Sequence, residues 1–231
     1  MNSINNTRRA TKLDVKKMVV LAMFSTLAFL SVLIFKVRVE FLTFDAKDAI
    51  ITTSGLFFGP LASLVVSLIT AFLEMVTISS TGLYGFVMNF LSSAAFSCTA
   101  AIVYKYRRKM SGAVIGLSLA IVAMTAVMMA ANILITPLYM KAPRSVVIDY
   151  IPKLLLPFNL VKATLNACIT LFIYKYIGRA MRSLNIIPKS HMDNKSKTLG
   201  IVVTCLAVAG MVVCVMYMVM SLGGSMIWFK K

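Results

Sequence analysis

The sequence predicts an all-α integral membrane protein, with a bundle of six helices followed by an additional C-terminal transmembrane helix. Three observations carry that prediction. Of the 231 residues, 60% are hydrophobic and 13% charged, about half the charged share that keeps a soluble domain's surface in water. Mean hydropathy is +0.90. The apolar residues also fall into long runs of roughly 20, the length that crosses a hydrocarbon core.

The first run extends from Met18 to about Phe35, longer than the apolar stretch of a cleavable signal peptide. A short second run, Ala49 to about Phe58, is broken by Gly59-Pro60, and a third resumes from Leu61 to about Ile78. Further runs cover Phe86 to Tyr104, Ala113 to Ile135 and Leu154 to Tyr174. The last, Leu199 to about Leu222, holds no strongly polar residue and stops at Gly223-Gly224. It is expected at the periphery, facing lipid, because function inside a membrane is normally marked by polar side chains. The expected organisation is a basic N-terminus (1–17), a six-helix core (18–177), a connector (178–198) and the extra helix with its tail (199–231).

A formal charge of +17 raises the question of nucleic acid. The basic residues, however, sit in short clusters between apolar runs and not along one face of a soluble fold. Arg8, Arg9, Lys12, Lys16 and Lys17 precede the first helix, and Lys105, Arg107, Arg108 and Lys109 follow the fourth. Lys175, Arg179, Arg182, Lys189, Lys195 and Lys197 lie between the sixth and seventh. With alternating crossings these clusters share one side, which the positive-inside bias makes the cytoplasm. The chain is therefore expected to be a multi-pass protein of the cell membrane with its N-terminus inside and its C-terminus outside. The opposite connectors carry mixed charge, among them Lys36, Arg38, Glu40, Asp45, Lys47 and Asp48 in one, and Lys141, Arg144, Asp149 and Lys153 in another.

Enzyme chemistry has little to work with. Cys98, Cys168, Cys205 and Cys214 lie inside apolar runs without metal-binding spacing and read as small buried side chains. The single histidine, His191, lies in a polar connector. No catalytic residue, metal or cofactor is expected.

Polar side chains at membrane depth are costly and face a cavity or a partner. Glu74 falls near the outer end of the third helix, Asn89 in the fourth and Asn132 in the fifth, just before Thr136-Pro137. Asn159, Lys162 and Asn166 occupy the sixth; spacings of three and seven put them on one helical face. Amides supply donors and acceptors together, and an ammonium supplies donors to carbonyl oxygens, so this group suits a flat ligand with polar edges. Spacing leaves a second role open: the same residues can serve only helix packing, or Lys162 can reach up to the interface. Glu74 can cap the turn Ser79-Ser80-Thr81-Gly82 or pair with a basic residue. Between Val37 and Lys47 apolar and charged residues alternate, and Phe41-Leu42-Thr43-Phe44 is apolar for an exposed loop, which predicts a strand-like flap over the outer mouth.

Several of these segments together resemble a known family. They are Asp48-Ala49-Ile50 through Gly59-Pro60-Leu61, Glu74-Met75, Ser79-Ser80-Thr81-Gly82, Gly85 to Phe90, Thr136-Pro137-Leu138-Tyr139 and Leu156-Pro157-Phe158-Asn159-Leu160-Val161-Lys162. In this order, over roughly Lys17 to Tyr176, the chain resembles the riboflavin-specific S component of energy-coupling-factor (ECF) transporters. The resemblance implies an S-component-like six-helix core that binds riboflavin at its extracellular side. It implies ligand contacts from Asn132, Asn159 and Lys162, from flap residues Leu42, Thr43 and Phe44, and from Thr81, Gly82 and Glu74. It also implies partners: a transmembrane coupling subunit and two cytoplasmic ATPases. The chain has no GxxxxGK[ST] phosphate loop of its own. In S components small residues of the first helix, often AxxxA, meet the coupling subunit; Ala22 and Thr26 stand there, with Thr in place of the second Ala. The seventh helix lies outside the resemblance. Two alternatives remain: an S component for FMN or another vitamin, and a membrane scaffold subunit without a ligand.

Overall fold

A computed structural model describes residues 2–34, 37–39, 42–141 and 143–183, and beyond them 208–210, 212–213, 216 and 226–227. Helix α1 (Asn2–Ile34) runs into a hairpin of β1 (Val37–Val39) and β2 (Leu42–Phe44), then α2 (Lys47–Phe58), α3 (Pro60–Thr77), α4 (Gly82–Tyr106) and α5 (Met110–Met140). A short α6 (Arg144–Tyr150) passes through a π-helical turn, Ile151–Leu155, into α7 (Leu156–Ser183), and β3 (Met226–Ile227) closes the order.

Five stretches are long and apolar enough to cross a membrane: Val15–Ile34, Pro60–Thr77, Gly82–Tyr106, Met110–Met140 and Arg144–Gly178. Their outward faces carry large apolar side chains such as Leu61, Leu68, Phe72 and Val76 of α3, as a surface in contact with hydrocarbon requires. The last stretch starts ten residues earlier than the sequence suggests. Pro152 and Pro157 do not end it, because the π turn absorbs the first and the second stands near the start of α7, where a missing N–H costs little.

The short second helix is the centre of the bundle. At twelve residues it is below the roughly 17 needed to span, yet nine of its residues are buried and it packs on α1, α3, α4 and α7. Gly59, at φ 93°, and Pro60, at the first position of α3, reverse the chain so tightly that α2 and α3 touch. A Cβ on Gly55 would lie 2.8 Å from Ser63 Cβ and 3.0 Å from Ala101 Cβ. Several hydroxyls in this crowded interior bond back within their own helices, Thr53 to Ala49 O and Thr70 to Val66 O for example, which satisfies them without a partner from a neighbouring helix.

Helices α4 and α5 form an antiparallel pair around Phe96, Ala100, Leu117, Ala120 and Met124, with Ala163 and Ala167 of α7 completing the cluster. Gly116 permits the close approach, since a Cβ there would come within 2.9 Å of Ala100 O.

Two expectations change. The outer segment is an antiparallel hairpin with Val37 opposite Phe44 and Val39 opposite Leu42, so the protein is all-α only apart from a small sheet. Lys47 and Asp48, expected in a solvated connector, are 1% and 0% exposed, because α2 begins two residues earlier than its apolar run. The expected seventh helix falls mostly outside the described residues; within it, 208–210, 212–213 and 216 are helical. Cys98 and Cys168 are half-buried, while Cys205, Cys214 and His191 lie outside the described residues.

Candidate functional site

A cavity of about 210 Å³ opens on the side of the bundle that carries the flap. Its walls are Val32 of α1, Leu42 and Thr43 of β2, Glu74 and Ile78 of α3, the turn Ser79–Thr81, Tyr84 to Ser92 positions of α4, Met128, Asn132 and Tyr139 of α5, and Phe158, Asn159 and Lys162 of α7. Eight of the residues singled out in the sequence thus share one cavity: Leu42, Thr43, Glu74, Thr81, Asn89, Asn132, Asn159 and Lys162. Phe44 does not line it. Its ring packs on Phe158, with centroids 4.3 Å apart, and so supports the flap from behind. Gly82 starts α4 at φ 54° and lies just outside the lining.

Each polar side chain is held by bonds that leave part of it turned to the cavity. Asn132, fully buried, donates Nδ2 to Met128 O at 2.7 Å and accepts from Thr136 Oγ1 at 2.9 Å. Asn159, 1% exposed, donates Nδ2 to Leu155 O at 2.8 Å. Lys162 Nζ donates to Asp45 Oδ2 at 3.0 Å and to Thr43 O at 3.2 Å. An ammonium has three donors, so one remains for another acceptor.

Asn166, on the same face one turn further along, does not reach the cavity and ties the structure beneath it. Its Oδ1 accepts from Ala49 N at 2.9 Å, and its Nδ2 donates to Asp45 O at 3.0 Å. The start of α2, which has no side-chain cap of its own, is thereby capped from α7.

On the opposite wall Glu74 pairs with Lys47 through both oxygens, at 2.7 and 2.8 Å, and accepts from Asn89 Nδ2 at 2.8 Å. Of the two roles open to Glu74 in the sequence, the pairing is the one observed. Asp48 accepts from Ser93 Oγ. Among the described residues, Asp45 Oδ1, Asp48 Oδ2 and Ser92 Oγ are buried atoms with no hydrogen-bond partner.

Asp45 lies in the connector ahead of α2. Burial pushes its carboxyl up, but the charges of Lys162 and Lys47 outweigh that and hold it below its ordinary value. It stays ionised and keeps Lys162 aimed between flap and cavity. No cluster of three metal-ligating side chains occurs among the described residues.

The sequence leaves the basic partner of Glu74 unnamed and misses the Lys162–Asp45 pair. Lys47 was available as a partner for Glu74, but its position before an apolar run gave it the look of a solvated anchor. The signal was there in the adjacent Lys47-Asp48, charges directly joined to a buried helix.

On the first helix, Ala22 and Thr26 are exposed, one turn apart on the outer surface, and Thr26 Oγ1 bonds back to Ala22 O at 3.0 Å. The hydroxyl is satisfied within its own helix, which leaves a small, smooth patch.

Residues 16–175 match the family model for the substrate-specific component of ECF transporters. The chain belongs to that family. It is a family of transport components and not of enzymes. Among curated relatives, the riboflavin transporter RibU of Staphylococcus aureus (strain TCH60) is 26% identical over 191 residues, covering 78% of this chain and 100% of that protein. The riboflavin transporter FmnP of Bacillus subtilis (strain 168) is 31% identical over 162 residues, covering 65% of this chain and 85% of that protein. A solved S component of a bacterial ECF transporter superposes with a TM-score of 0.63 at 27% identity, covering 73% of this chain and 99% of its own. This chain is therefore a substrate-specific membrane component, built on the S-component fold.

Proposed function

We propose that this S component captures riboflavin at the extracellular face, under the β1–β2 flap, for ATP-driven uptake. The observation that carries the reading is the convergence of Asn132, Asn159 and Lys162, from two helices, on one cavity. Val32, Leu42, Met88, Met128 and Phe158 supply apolar walls for a flat ring system. The amides and the remaining donor of Lys162 meet the heteroatoms along its edge. The hydroxyls of the Ser79–Thr81 turn, with Tyr84 and Tyr139, suit a polyol chain. Buried polar groups arranged for one hydrogen-bond pattern reject compounds that lack it.

The space of about 210 Å³ is somewhat below the roughly 300–1,000 Å³ usual for drug-sized ligands. Riboflavin is admitted by a shift of the flap, whose residues Leu42 and Thr43 form part of the wall.

Lys162 and Lys47 each already hold a carboxylate, which favours an uncharged flavin over FMN. Both curated relatives are riboflavin transporters, which favours riboflavin as well.

Uptake then needs a transmembrane coupling subunit and two cytoplasmic ATPases, and the Ala22–Thr26 patch is the surface on which we expect the coupling subunit to pack, since small residues let helices approach closely. The N-terminus is cytoplasmic in this reading. The six-helix core (18–177), with α2 counted as its short second member, is the binding unit; the connector (178–198) returns the chain for the extra helix (199–231).

The test is the absorption spectrum of the purified protein followed by titration with riboflavin and competition by FMN. Riboflavin is expected to bind tightly and FMN to displace it poorly. A colourless protein that takes up neither compound overturns the assignment and favours a ligand-free scaffold.

A further inference from the structure

The flap has a third strand that the family match does not include. Strand β1 pairs on one side with β2 and on the other with β3, antiparallel, with Val39 opposite Met226 and Arg38 opposite Ile227. A separate contact binds the same C-terminal region to the helix that carries Asn159 and Lys162. Gly210 is helical and lies so near α7 that a Cβ there would be 2.9 Å from Cys168 Sγ. Such close approach is what small residues allow between helices in a bilayer. Both contacts fall after residue 175, where the family match ends.

A two-stranded hairpin is marginal in water, and a third strand or a packed face is what stabilises it. Here β1 and β2 are three residues each. β2 is fixed to α7 through Thr43 O and the Phe44–Phe158 packing, whereas among the described residues the second neighbour of β1 is β3 of the C-terminal region.

We propose that the C-terminal region, which meets α7 at Gly210 and β1 at Met226–Ile227, acts as a strap that sets how often the flap opens. The proposal rests on the riboflavin reading for its ligand but not for its geometry. The strap stabilises the shut flap whether or not the cavity is filled. It therefore slows entry and exit together and changes affinity little, since a group acting equally on both states shifts no equilibrium between them.

The experiment compares the full chain with one that stops after Gly224, and with Gly210→Leu, which pushes the anchor off Cys168. Riboflavin dissociation in detergent is expected to quicken about tenfold in both, the worth of one or two net backbone hydrogen bonds, with association quickening in step. An unchanged dissociation rate in both variants overturns the strap. So does complete loss of binding by a shortened chain that still melts where the full chain does, because the region would then be part of the site. Hydrogen exchange at the amides of Val37–Val39 in the ligand-free proteins separates this from the cargo assignment. Should the full chain bind no riboflavin, faster exchange in the shortened chain still supports the strap, and equal exchange refutes it.

Discussion

Lys162 on α7 and Asp45 at the foot of the flap are 117 residues apart in sequence and joined by a hydrogen-bonded ion pair, Nζ to Oδ2 at 3.0 Å. The same ammonium takes Thr43 O from the flap strand itself. One side chain therefore touches both the cavity and the flap, and in the proposed reading it couples binding to closure.

The first prediction follows from that double role. Asn159→Leu and Lys162→Leu should each weaken riboflavin binding by about tenfold or more, the value of a hydrogen bond to a buried or charged group. Lys162→Leu should also quicken dissociation more than Asn159→Leu does, because it releases the flap. Equilibrium titration and stopped-flow dissociation in detergent check both. Unchanged affinity in the two variants would remove this cavity as the site.

The Lys47–Glu74 pair is predicted to matter for stability. Lys47→Met leaves Glu74 buried without its cation, and breaking one side of such a pair costs on the order of 3–5 kcal/mol. Adding Glu74→Leu should recover most of that loss, since the uncompensated carboxylate is gone. Unfolding of the single and double variants in detergent gives the coupling directly, and additive losses would contradict the pairing.

Acid should loosen the flap at one carboxyl. Asp45 is held below its ordinary value of 3.8, so its contribution is complete above that value and is lost as pH falls through the lowered one. Protection of the flap amides, taken as exchange relative to that of an unstructured chain at the same pH, should be flat from neutrality to about pH 5 and fall only in stronger acid, where protonated carboxylates lose their folded-state partners. Asp45→Asn should abolish the acid step and give low protection throughout. A step that persists in that variant would assign it to another group.

Gly55→Val tests the contact at the centre of the bundle. The new side chain meets Ser63 and Ala101 at once, and overpacking of this sort costs about 1–3 kcal/mol. A lower melting temperature is expected. No change would mean that α2 has slack against its neighbours.

The long helices were legible because their apolar runs exceed what a soluble core uses, and the observed spans follow those runs closely. The polar positions of α7 were legible too, since Asn159, Lys162 and Asn166 share a face by spacing alone. Spacing says nothing of depth, however. It did not separate Asn166, which caps α2 from below, from Asn159 and Lys162, which reach the cavity. The partners in the ion pairs were hidden for a related reason. Lys47 and Asp48 stand at the edge of an apolar run, and whether such a charge is wet or buried depends on where the helix starts. The continuation of the last span through Pro152 was also invisible, because a π turn is set by its packing.

The contact of Gly55 with Ser63 and Ala101 has a mechanical consequence. Three helices that touch through hydrogen, hydroxyl and methyl have no room to slide, so α2, α3 and α4 act as a single wedge in the membrane. Passage of a solute is therefore not expected from parting these three. Whatever motion accompanies transport must either carry the wedge whole or be taken up at its borders, where longer side chains leave some give.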